Sequence, residues 1–256
     1  MRFDVSFLPA LAAAYLLIFA RIGTMIMLFP ALGEVAMSSR IRLTIALALA
    51  AVMFPLHRAA YQIDLRSMNA VIMMLGQEML IGAVLGISVR LAISALQYTG
   101  AVVAQQLGLG FVTEIDPTQG QQGVIFGNFL AMLGLVLIFA TDLHYLIIGA
   151  LDDSYTLFSP GEVPFTGDMA ALATKTVAGA FRIGIQLSAP FLVFGLLFNL
   201  GLGLLSRMMP QMQVFFVGVP LSILIGLTIL LVVLGGMMAN YLGFLTDVLH
   251  EVAPHV

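Results

Sequence analysis

Residues 105–124 read QQLGLGFVTEIDPTQGQQGV, the one long polar, glycine-rich break in a chain that is otherwise apolar nearly throughout. Backbone N–H and C=O groups outside a helix find no water in hydrocarbon, so such a stretch lines a cavity, is buried in protein, or lies outside the bilayer. Asp116-Pro117 enforces a turn, because the proline ring disfavours α conformation at the residue before it. The glycines at 108, 110, 120 and 123 permit close approach or positive φ, and Leu107, Leu109, Phe111 and Val112 can form an apolar constriction. Read alone, the stretch is equally compatible with an aqueous loop and with a cavity lining.

Outward from this break the chain is membrane-like. Of 256 residues, 61% are hydrophobic and only 9% charged, against about 25% charged in soluble domains, and the mean hydropathy is +1.09. The chain reads as an all-α, polytopic membrane protein built of helical hairpins. It has no cysteine, which excludes disulfides, thiolate nucleophiles and cysteine metal sites. A formal charge of -3 and a single lysine, Lys175, argue against a nucleic-acid partner, since phosphate binding needs clustered cations. Arg2 before the apolar run from Leu8 resembles a signal peptide, but the run continues past Arg21 to Phe29 without a cleavage pattern, so a retained first helix is expected.

Six apolar stretches follow from hydropathy: Leu8 to Phe29, Ile41 to Leu56, Met68 to Leu96, Val124 to Ala140, Ile183 to Leu205 and Val214 to Leu245. The second and fourth are short for a hydrocarbon core of about 30 Å, and the third and sixth too long. Arg21, Glu78, Arg90 and Arg182 fall inside or at the edges of these stretches, each costing roughly 3 kcal/mol at mid-bilayer unless buried or paired. Lys and Arg in the loops show no side bias under six spans: Arg2, Arg58, Arg66 and Lys175 oppose Arg40, Arg42 and Arg207. Short spans, embedded charge and absent asymmetry together suggest helices packed mainly against other protein. The region Thr141 to Lys175, with Asp142, Asp152, Asp153, Glu162 and Asp168, reads as an acidic external loop with a short amphipathic piece around Leu143 to Leu151. Pro190 is expected to kink the fifth stretch, and Arg207 to Gln211 to form the polar tip of a final hairpin.

Two stripes at helical spacing carry small and polar residues. Glu78, Gly82, Gly86, Arg90 and Ser94 form one, and Gly195, Asn199, Gly203 and Arg207 the other. Both suit close helix packing and assembly. Glu78 and Arg90 lie roughly 18 Å apart along a helix, so each needs a partner on another helix or chain. If Glu78, Arg90 and Arg182 cannot all be satisfied internally, the chain is stable only in an assembly. There is no phosphate loop, zinc helix or nucleophile elbow. Asp142 and His144 are two apart and face different sides of a helix, and the histidines lack ligand spacing. No catalytic residue, cofactor or metal is therefore expected, and sixteen methionines suit adaptable packing.

The residues also resemble a known family, FliR of the flagellar export gate, with its SctT counterparts in virulence-type secretion systems. The resemblance rests on Arg21-Ile22-Gly23 with Pro30; Arg40-x-Arg42 with Pro55; Gly76-Gln77-Glu78 with Ile81-Gly82 and Gly86; and Gln106-x-Gly108 leading to Asp116-Pro117. It continues through His144, Asn199-Leu200-Gly201, Leu204-Leu205-Ser206-Arg207, and Pro210-Gln211 with Phe215 and Pro220. Gln213 departs from the asparagine expected in many members. The resemblance implies a non-enzymatic subunit of a type III export gate in the bacterial inner membrane, at the flagellar basal body. Implied partners are FliP, FliQ, FlhB and FlhA type proteins, membrane lipid and secreted unfolded polypeptides. It further implies a FliP-like part over 1–180 and a FliQ-like hairpin over 181–256, helices lying largely above the bilayer plane, and energy from the proton-motive force and a separate ATPase. The segment 106–123 would be the pore plug, with Gln106, Leu107, Gly108, Leu109, Gly110, Phe111, Val112, Asp116 and Pro117 as its gating residues. Alternatives are an SctT-type injectisome subunit, a secondary transporter, which would need an inverted repeat that the chain lacks, and an intramembrane hydrolase using Glu78 or Asp142.

Overall fold

The computed structural model describes residues 8–30, 38–61, 67–109, 122–161, 166–209 and 214–252, and among these there is no β-strand. The described residues form seven α-helices in order: α1 (Leu8–Leu28), α2 (Ser39–His57), α3 (Met68–Gln106), α4 (Gln122–Ala140), α5 (Leu143–Leu157), α6 (Thr166–Met208) and α7 (Val214–Val252). A 3₁₀ turn, Arg58–Ala60, ends α2 just beyond Pro55. Among the described residues five helices are long and apolar enough to cross a membrane, or six spans if α4 and α5, bent by 78°, count as one. The bend has a local cause: Asp142 adopts the left-handed conformation at φ 60°, which stops the helical ladder between the two.

The structure departs from the sequence expectations in three places. The region after Thr141 is not a loop for most of its length: α5 fills Leu143–Leu157 and α6 already begins at Thr166. Ile147, Ala150, Leu151, Ser154 and Tyr155 recur at helical spacing and are buried, while Asp152 points outward, so the amphipathic piece expected around Leu143 to Leu151 is present and extends to Leu157, carrying Asp152 and Asp153 with it. The third apolar stretch extends to Gln106, because Gln97, Thr99 and Gln105 lower hydropathy without breaking the helix. The fifth is part of a longer helix of 43 residues, with Pro190 inside it as expected. Pro210 and Gln211, expected at the last hairpin tip, lie outside the described residues.

The chain forms two compact units, each discontinuous in sequence. The first comprises residues 1–91, 142–177 and 246–256, and the second residues 92–141 and 178–245. In the first unit, α1 buries Leu17, Ile18, Arg21, Ile22 and Met25, a stripe of period 3.6. Tyr15 donates a hydrogen bond to the Leu47 carbonyl of α2 at 3.0 Å and meets Phe54 edge to face. In the second unit α3 and α4 are antiparallel: Gly100 meets the Gly127 backbone, and Leu96 fills the notch at Gly134. A side chain at Gly100 or Gly127 would collide with the opposite main chain, so this helical pair is closed backbone to backbone. Thr99, wholly buried, donates to the Gly184 carbonyl of α6 at 3.2 Å.

Candidate functional site

Two arrangements stand out, one in each unit. In the first, Gly82 and Gly86 bring α3 against α1: a Cβ on Gly82 would run into the Arg21 carbonyl, and one on Gly86 would lie 2.8 Å from Leu28 Cβ. That approach places Glu78, one turn before Gly82, against Arg21. Arg21 is 0% exposed and Glu78 1%. Arg21 Nε donates to Glu78 Oε2, and Nη2 donates to Oε1 at 3.1 Å, a bidentate pair. The rest of the guanidinium faces the end of α5: Nη1 donates to the Ser154 carbonyl at 2.9 Å and to its Oγ at 3.1 Å, and Nη2 donates to the Phe158 carbonyl at 3.1 Å. A guanidinium has five N–H groups, and each has an acceptor here. Arg21 therefore neutralises Glu78 and also binds the Phe158 carbonyl just beyond α5 and the Ser154 carbonyl, which accepts the Phe158 N–H as well, at a helix end where the dipole favours a cation.

The face of the Arg21 guanidinium lies over the Tyr155 ring, 4.0 Å from its centroid. His57 stacks on the same ring, also at 4.0 Å and tilted by 12°. Two groups at that distance cannot share one face, so Tyr155 is sandwiched between them. His57 Nε2 in turn meets Asp152 Oδ1 at 2.7 Å. The order Glu78, Arg21, Tyr155, His57, Asp152 runs from the buried core to the surface, with Asp152 half exposed. Burial, and then the nearby Glu78 carboxylate, push the Tyr61 hydroxyl far above the ordinary phenol range, so Tyr61 stays neutral beside the pair. Both Glu78 oxygens are engaged by Arg21. Among the described residues no three acidic or histidine side chains could hold a metal ion together.

The second arrangement is the exit of α3 in the other unit. Gly108 N donates to the Gln105 carbonyl and Leu109 N to the Ala104 carbonyl, each at 3.1 Å, with Gly108 at φ 80°. This is a Schellman stop, and glycine is required where φ is positive. Leu107 is fully buried, and its side chain occupies the notch that Gly226 leaves on α7. Ser222, one turn before Gly226, donates to the Leu107 carbonyl at 2.9 Å. Gln106 lies against Gly195 of α6, where a Cβ would collide with its carboxamide.

The anticipated site residues thus separate. Glu78, Gly82 and Gly86 are buried within the chain, whereas Arg90 on the same stripe is exposed. Glu78 finds its partner internally, so only Arg90 and Arg182, both exposed, remain of the three charges expected to need an assembly. On α6, Gly195 is buried, but Asn199, Gly203 and Arg207 are exposed and Gly203 faces open space. Gln106, Leu107, Gly108 and Leu109 are placed as above, while Gly110, Phe111, Val112, Asp116 and Pro117 lie outside the described residues. Ser154, Tyr155, His57, Ser222 and Gly226 were not anticipated. Opposite charges in two apolar helices could have suggested Arg21 with Glu78; no local signal marks Ser222.

Apolar helices of spanning length, a saturated charge pair between them and outward apolar faces define an all-α polytopic membrane protein. A family model described as "Bacterial export proteins, family 1" matches residues 12–248, and the chain belongs to that family. Among its relatives, the "Flagellar biosynthetic protein FliR" of Caulobacter vibrioides is 40% identical over 220 residues, covering 86% of this chain and 88% of its own. That of Bacillus subtilis is 30% identical over 224 residues, covering 86% and 85%. That of Escherichia coli K12 is 29% identical over 210 residues, covering 82% and 80%.

Proposed function

We propose that the chain is a non-enzymatic subunit of the flagellar type III export gate in the bacterial inner membrane, helping to form and close the pore for unfolded flagellar proteins. Its partners would be FliP, FliQ, FlhB and FlhA type proteins, with residues 1–180 as the FliP-like part and 181–256 as the FliQ-like hairpin. Membership of the export family and the FliR relatives support the flagellar assignment over an SctT-type one. An assembly is supported by the outer face of α6. Between Phe181 and Met208 that face exposes Ile185, Val193, Leu196, Leu197, Leu200 and Leu204, a length of about 40 Å against about 30 Å of hydrocarbon. It also exposes Arg182, Gln186 and Asn199, which lipid would strand but a neighbouring protein chain can pair.

The observation that carries the closing role is that the polar, glycine-rich segment joins the two arms of the α3–α4 hairpin, and those arms touch backbone to backbone at Gly100 and Gly127. Arms closed on one another at these glycines would give the proposed plug a fixed support. The experiment is deletion of residues 110–119 in the chain co-expressed with its partners, followed by conductance and solute uptake across membranes carrying the complex. The expected result is an assembled but leaky complex. Unchanged permeability of an assembled deletion complex reduces the segment to a connector.

A further inference from the structure

The exit of α3 is held by a donor with two places to go. Ser222 is 3% exposed, and its hydroxyl carries one proton. Two acceptors lie within reach of that proton: the Leu107 carbonyl at 2.9 Å and, in its own helix, the Val219 carbonyl at 2.8 Å. The first bond crosses from α7 to the last turn of α3; the second is the common back-bond of a helical serine. Breaking the first therefore leaves no orphaned donor in the interior, which is the usual obstacle to opening a buried polar contact. Around this bond the fit is one-sided. Leu107 is a single buried side chain in a notch cut by Gly226, and Gly108 carries the chain away at positive φ.

We propose that Ser222 is a positioning residue that latches the exit of α3, its proton alternating between the Leu107 carbonyl (held) and the Val219 carbonyl (released). In the held state Leu107 is seated in the Gly226 notch with its carbonyl bound by Ser222; in the released state Leu107 withdraws from the notch and its carbonyl passes to water. The link from this latch to export rests on the pore-closing reading above.

The chain has no cysteine, so Leu109→Cys gives a single reporter just beyond the latch. The full chain, assembled with its co-expressed partners in membrane vesicles, is labelled with a small maleimide, and conductance is measured on the same vesicles. Loss of one hydrogen bond in Ser222→Ala raises the labelling rate roughly five- to tenfold, and Ser222→Thr, which keeps the hydroxyl, restores it. Leu107→Ala, which empties the notch from the other side, raises it as well and serves if Ser222→Ala does not assemble. Labelling and conductance rising together support both the latch and the closing role. Faster labelling with unchanged conductance supports the latch and overturns the closing role. Unchanged labelling in Ser222→Ala, or in Leu107→Ala where that variant stands in for it, overturns the latch whatever the conductance does.

Discussion

Replacing Glu78 by glutamine tests the interior of the first unit most directly. The side chain keeps its shape, loses its charge and can no longer accept two bonds from Arg21, because one of its oxygens becomes an NH₂ group facing the N–H it formerly accepted from. Arg21 cannot move to water, since it is 0% exposed and its other three N–H groups are bound to Ser154 and Phe158. The variant therefore holds an uncompensated buried cation, for which removal of one partner typically costs about 3–5 kcal/mol. At about 2–4 °C per kcal/mol for chains of this size, the thermal midpoint falls by roughly 10 °C. The assay is size-exclusion chromatography of the detergent-solubilised full chain after heating across a temperature series. A second comparison separates this arrangement from a simple ion pair. Exchanging the charges, Arg21→Glu with Glu78→Arg, restores attraction between the two positions but turns a carboxylate toward the carbonyls of Ser154 and Phe158. The exchange is expected to be at least as unstable as Glu78→Gln. A midpoint within about 2 °C of wild type for Glu78→Gln, or rescue by the exchange, would refute the reasoning.

Glycines on α3 and α6 are expected to respond differently. Gly82→Val drives a side chain into the Arg21 carbonyl and separates α1 from α3, so it abolishes a monodisperse chain, whereas Gly76→Val, with nothing within 4 Å of the added atom, leaves the heating profile close to wild type. Gly203→Leu also meets nothing within 4 Å in the chain itself; it is expected to leave the solubilised chain intact and to reduce co-purification of partner subunits. Normal recovery of all partners with Gly203→Leu would show that this face of α6 is not an assembly surface.

What the sequence determined by itself was class and local register. Long apolar runs at this composition can only be membrane helices, because a chain with 9% charged residues has no means of covering such runs with water-facing surface. Helical spacing also placed Glu78, Gly82 and Gly86 on one face before any contact was known, since a period of 3.6 is a property of neighbouring residues. The same arithmetic grouped Gly195 with Gly203 and Glu78 with Arg90, and there it could not decide. A stripe lists residues in line along one helix, whereas burial depends on where the other helices end.

Only the tertiary structure assigned partners. Arg21 and Glu78 are 57 residues apart, and Arg21 and Ser154 are 133 apart. No local pattern links them; the order of helices and the close approach at Gly82 do. For the same reason the extent of α5 was underestimated: the amphipathic piece expected around Leu143 to Leu151 runs on to Leu157, where a cation on α1 meets the helix end. The last turn of α3 is likewise fixed from outside, by a hydroxyl at Ser222 and a missing side chain at Gly226, 115 and 119 positions beyond Leu107. The period of a helix is local and written in sequence; which of its faces meets another backbone is a property of the packed whole.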